Sequence, residues 1–187
     1  MKGIVFTEFL EMVEEKFGWE MAEDLVDESD LPSGGAYTSV GTYDHQEMVS
    51  MVITLSQKTD ISVPDLLKTY GKHLFGRFRT LYGQFFENAE GIFDFLSSID
   101  NYIHVEVRKL YPEAELPSFT YQNIDDHTLV LIYQSSRPFA DFAEGLLMGS
   151  IEHFGQEINL FREDLNKADG TEAKFTLVKV LETNPVS

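Results

Sequence analysis

The chain has 187 residues, 43% of them hydrophobic, no cysteine, and 14 basic against 32 acidic residues, a formal net charge of -18. That length suits one domain or two closely packed halves. The lack of thiols excludes disulfides, cysteine-held zinc or iron–sulfur centres and thiol nucleophiles, while the negative charge, with no basic stripe, argues against free nucleic acid as a partner.

In chain order, Val5, Phe6, Phe9, Leu10, Val13 and Phe17 recur at helical spacing, which predicts an amphipathic helix over about 3–17 that ends at Gly18. The same stretch carries Glu8, Glu11, Glu14 and Glu15, so it is no secretory signal. No apolar run approaches the length of a membrane span, and the expected location is cytoplasmic without stable membrane insertion. A short helix follows over Trp19 to Val26, then a loop at Leu31-Pro32-Ser33-Gly34-Gly35. Residues 44–58 predict a helix capped by Asp44, and Val63-Pro64-Asp65 opens another that reaches about Phe75. Helical character continues through Phe85, Phe86, Ile92, Phe93, Leu96 and Ile99. Asp100 to Leu110 is a helix carrying His104, ended by Pro112 and Pro117.

Beyond that point the period changes. His127 to Gln134 reads as a strand and Phe139 to Phe154 as a helix. Glu157 to Arg162 and Lys174 to Leu181 read as strands joined around Asp169-Gly170. The plan is α+β, with a helical N-terminal part over about 1–62 and an α/β part over about 63–187, built on a small antiparallel sheet of about four strands.

Two features carry chemistry. In an extended chain Tyr133, Ser135 and Arg137 share a face and present two hydroxyls and a guanidinium, a set suited to a carboxylate or phosphate. The plainer reading is a polar strand end with a surface arginine. His104 sits in the largely apolar Tyr102-Ile103-His104-Val105-Glu106-Val107, where it is either a satisfied core histidine or an axial ligand to haem iron. No second histidine lies at helical zinc spacing. Gly-x-Ser-x-Gly, HExxH and phosphate-loop motifs are all missing.

His104, then Pro117, then Tyr133-x-Ser135-x-Arg137 and Gly145-Leu146-Leu147, behind the opening Met1-Lys2-Gly3-Ile4-Val5, form an ordered set along nearly the whole chain. This set resembles the haem-nitric oxide/oxygen binding (H-NOX) family, related to the haem domain of soluble guanylate cyclase, and in particular its stand-alone bacterial members. The resemblance implies haem b between the two parts. His104 would ligate the iron, Tyr133, Ser135 and Arg137 would hold the propionates, and Pro117 would press on the porphyrin. Oxygen-binding members place a tyrosine over the bound gas, and the matching position here is Phe142. Leu74 takes the family's supporting polar position. Phe78 and Leu146 line up with the pocket, and Val5 and Phe9 are expected to face it from the first helix. Tyr70 and Tyr82 are other candidates for a hydroxyl there.

The implied function is a gas sensor that binds NO and CO, excludes stable O2, and signals by release of His104 to a separate effector, a histidine kinase or a cyclic-di-GMP enzyme. The alternatives are an O2 sensor of the same family or a haem-free module for an apolar acid. A haem enzyme would need an acid/base pair near iron, which Phe142 and Leu74 do not provide.

Overall fold

The computed structural model describes residues 1–87, 89–165 and 169–180. Seven α-helices and one four-stranded antiparallel sheet are formed among them. Helix α1 (Gly3–Phe17) ends at Gly18, whose φ of 93° suits glycine and whose N–H bonds Glu14 O. Helix α2 (Trp19–Glu28) runs one turn-half beyond the expected Val26. Helix α3 (His45–Thr59) is capped by Asp44, whose carboxylate accepts from Gln46 N at 2.9 Å.

Helix α4 (Val63–Leu81) opens on the Ser62 cap with Pro64 in its first turn. It continues well past the expected Phe75, because Phe78 and Leu81 extend the helical spacing through the polar residues between them. Helix α5 (Ile92–Ser97) is short, and the expected single helix from Asp100 is instead a π-helical turn (Ile99–Ile103) leading into α6 (His104–Leu110).

Strand β1 (Ser118–Asp125) was not distinguished in the sequence; β2 (Thr128–Gln134) was. Helix α7 (Ala140–Phe154) separates them from β3 (Ile158–Asp164) and β4 (Glu172–Lys179). The expected extension of the last strand to Leu181 lies outside the described residues. The strand order is β1-β2-β4-β3, with every neighbouring pair antiparallel.

Two apolar cores result. In the first, Phe6, Phe9, Met12 and Val13 of α1 pack with Met48, Met51, Val52 and Leu55 of α3 and with Leu66, Tyr70 and Leu74 of α4. In the second, Leu129, Leu131 and Tyr133 of β2 and Ala173, Phe175 and Leu177 of β4 pack beneath α5 and α7, and Phe75 of α4 joins them. Helix α4 therefore belongs to both cores. It crosses α7 at Gly71 and Gly145, where an added Cβ would press into Phe142 O or Lys68 O, respectively. This backbone-close crossing sets Leu74 and Phe78 of α4 beside Phe142 and Leu146 of α7. Among the described residues no helix is long and apolar enough to cross a membrane.

The crossing yields a prediction. Gly145→Ala should lower the unfolding free energy by about 1–3 kcal/mol, the usual range for overpacking. The check is the urea midpoint at unchanged slope, and a wild-type midpoint would show that the two helices do not touch there.

Candidate functional site

A cavity of about 580 Å³ lies between α1, α4 and α7 on one side and α6, the 111–117 segment and the end of β2 on the other. Its walls are mostly apolar; Lys2, Asp44, His45 and Tyr82 are among its polar lining residues, and two further polar places bear on a ligand.

The first is His104, at the start of α6 and 9% exposed. Its Nδ1 stands 2.7 Å from Asp100 Oδ1, one π-turn back. A carboxylate only accepts, so Nδ1 carries the proton. Burial holds the imidazole below its ordinary pKa against the opposing pull of Asp100, so the ring is neutral and the Nε2 lone pair is left as a donor to a metal. His45 also lines the cavity, but both its nitrogens have neighbours: Nδ1 lies 3.3 Å from Asp44 and Nε2 3.1 Å from Gln46. Among the described residues no group of three or more His, Asp or Glu side chains is placed to hold a metal ion.

The second polar place is the end of β2. Tyr133 is 2% exposed, and burial pushes its phenol up. The strand stops at Gln134, and Ser135 Oγ then accepts from Arg137 N at 3.1 Å, turning the chain. Strand alternation alone thus does not align Tyr133, Ser135 and Arg137; the hydroxyl-capped turn brings all three to the cavity wall. Arg137 Nη2 donates to Glu115 Oε2 at 2.5 Å, so this guanidinium already takes a carboxylate at the cavity rim. Pro117 lines the wall on the His104 side.

The opposite wall is apolar. Val5, Leu74, Phe78, Phe142 and Leu146 all line it. Phe9 does not: it is fully buried behind the wall, edge-on to Tyr70 at 5.1 Å between ring centroids. One helical turn beyond Val5 on α1, its side chain is drawn into the first core rather than the cavity. Tyr70 is buried too, stacked on Phe142 at 5.1 Å and 24°, and its hydroxyl donates to Val5 O. Tyr82 lines the cavity at the end of α4, and burial together with neighbouring Tyr111 pushes its phenol up. The sequence singled out neither Asp100 nor Glu115, and His45 lacks metal-ligand spacing there. For Asp100 the available signal was an acid four residues before the histidine. For Glu115 there was none, because its pairing with Arg137 depends on the fold.

The site fits a porphyrin: a large apolar slot, one histidine nitrogen free to bind iron, and a guanidinium at the rim that receives a carboxylate. A family model described as haem-NO-binding matches residues 2–161. The chain belongs to that family, whose members are haem-based gas-sensor domains. The described residues share the H-NOX fold. The unliganded Fe(II) H-NOX protein of K. algicida is 42% identical with a TM-score of 0.92 over 100% of both chains. The H-NOX of Shewanella woodyi, solved with IWP-051 in the Fe(II)CO state, is 40% identical with a TM-score of 0.83 over 99% of this chain and 97% of that one. That of S. oneidensis in the Fe(II)NO state is 26% identical with a TM-score of 0.89 over 97% and 100%. Among curated proteins, soluble guanylate cyclase 89Db of Drosophila melanogaster is 28% identical over 140 residues. That match takes in 73% of this chain and only 20% of the cyclase, so the chain spans about a fifth of that relative's length.

A rim guanidinium that bonds a ligand carboxylate contributes one charge-assisted interaction. Arg137→Gln should therefore speed haem loss by roughly 10- to 100-fold, measured as transfer to an apo-globin acceptor. A wild-type rate would remove Arg137 from the site.

Proposed function

We propose that this H-NOX domain binds haem b and senses NO, with CO as a second ligand, while excluding stable O2. When bound, ferrous haem would supply the binding of a diatomic gas. His104 Nε2 would hold the iron, and Tyr133, Ser135 and Arg137 would hold the propionates. Pro117 would press on the proximal face of the macrocycle. Val5, Leu74, Phe78, Phe142 and Leu146 would shape the distal face, with Phe9 supporting Tyr70 behind it.

The observation that carries the choice of gas is the distal wall. Phe142 has no hydroxyl, and the Tyr70 hydroxyl beneath it is spent on Val5 O. Bound O2 carries partial negative charge and needs a donor; NO and CO do not. The second reading is an O2 sensor, which Tyr82 favours as the phenol that closes the α4 wall.

Signalling would begin when His104 lets go of the iron on NO binding. Helix α6 would then be free to move, and the parts over about 1–62 and 63–187 would shift about the cavity. A ligand moves such an equilibrium only by as much as it prefers one state. The effector would be a separate protein, a histidine kinase or a cyclic-di-GMP enzyme, met in the cytoplasm, and the domain itself would catalyse nothing.

The test is the absorption spectrum of the reduced protein in air and then with NO. The expected result is no oxy spectrum in air and a shifted Soret band with NO. Phe142→Tyr should gain an oxy spectrum. A stable oxy complex in the wild type, abolished by Tyr82→Phe, would establish the O2 sensor instead.

A further inference from the structure

Asp100 occupies a place that gas sensing as proposed above does not use. Its carboxylate is shared between two donors on different elements. Oδ1 takes His104 Nδ1 at 2.7 Å, and Oδ2 takes the backbone N–H of Phe119 at 2.8 Å. Phe119 is the second residue of β1, two residues beyond Pro117 in the cavity wall. Asp100 lies in the π-helical turn Ile99–Ile103 that leads into His104.

We propose that Asp100 is a positioning residue that fixes the His104 imidazole and ties it to the leading end of β1, so that movement of the histidine is passed to the sheet. This rests on His104 as the axial ligand. A carboxylate hydrogen-bonded to the far nitrogen sets the tautomer and ring orientation of a metal-binding histidine. Here the same group also holds a strand. β1 is an edge strand, and among the described residues no strand other than β2 pairs with it. A displacement of His104 therefore either draws the Pro117–Phe119 segment with it or breaks one of the two bonds to Asp100. The Phe119 ring lies 6.2 Å from the His104 ring and 5.5 Å from that of Tyr133, which extends the same contact to the propionate-binding end of β2.

The chemistry of substitution separates the two bonds. Aspartate has two acceptor oxygens and serves both donors. Asparagine has one acceptor and serves one of them; alanine serves neither. The His104 Nδ1 proton and the Phe119 amide proton are followed by NMR hydrogen exchange in the full chain as purified, with CO added so that any bound haem is diamagnetic. Both should be protected in the wild type. In Asp100→Ala both should exchange about tenfold faster or more, as expected for loss of a bond to a charged acceptor. In Asp100→Asn one proton should stay protected and the other not. The Fe(II)–His stretching band should also move to lower frequency in Asp100→Ala.

Fast exchange of either proton in the wild type overturns the proposal, as does unchanged exchange in Asp100→Ala. If that variant does not fold, the near-isosteric Asn variant and the wild-type measurement still decide. The exchange readout does not depend on haem. A protein that purifies and reconstitutes without haem would therefore sink the sensor reading, whereas fast exchange in the wild type with haem bound would sink only the role of Asp100.

Discussion

Helix α4 meets α7 at Gly71 and Gly145, close enough that neither position admits a side chain. Because α4 supplies Leu66, Tyr70 and Leu74 to one core and Phe75 to the other, this crossing joins the two halves of the molecule. It also sets the spacing of the cavity wall, since Leu74, Phe78, Phe142 and Leu146 all project from the two helices near it. A side chain at the crossing would push the helices apart and change the slot that a flat ligand must fill.

Within that slot, His104 and Arg137 stand where a porphyrin needs polar groups, and Lys2, Asp44, His45 and Tyr82 line it as well. Burial favours the neutral form of His104, the state a metal ligand requires, against the pull of Asp100 on its Nδ1 proton. Arg137 sits at the rim, where its partner in this structure is the exposed carboxylate of Glu115. Between the two, aromatic and aliphatic side chains leave little to bind a small polar substrate. The one phenol closest to the ring of Phe142, that of Tyr70, is turned to the backbone of α1. Its hydrogen bond to Val5 O satisfies a group whose burial would otherwise be unfavourable. It also fixes α1 against α4.

Much of this was legible from the residues. Helical spacing gave α1, α3 and α7 nearly to their ends, and the apolar alternation of Leu129, Leu131 and Tyr133 marked β2. β1 was missed for a physical reason: as an edge strand it buries only Phe119, so Ser118–Asp125 has no apolar alternation to read. The π-helical turn before His104 was equally hidden, since no residue pattern separates it from an α-helix. Of the pocket residues, the set from His104 to Leu146 reached the cavity, whereas Phe9 did not, because periodicity shows which face of α1 is apolar but not where along that face the core gives way to the cavity. Glu115 acts through a partner distant in the chain that only the fold reveals; Asp100 stands four residues before His104, but its bond to Phe119 N is likewise visible only in the fold.

The central claim is that His104 Nε2 is the axial donor to haem iron in this cavity. The most direct measurement is the absorption spectrum of reduced His104→Gly, reconstituted with haem, before and after addition of imidazole. The account predicts loss of the wild-type five-coordinate Soret band and its return with imidazole, which fills the space left by the side chain. A wild-type spectrum in His104→Gly without imidazole would contradict it and place the iron on another residue.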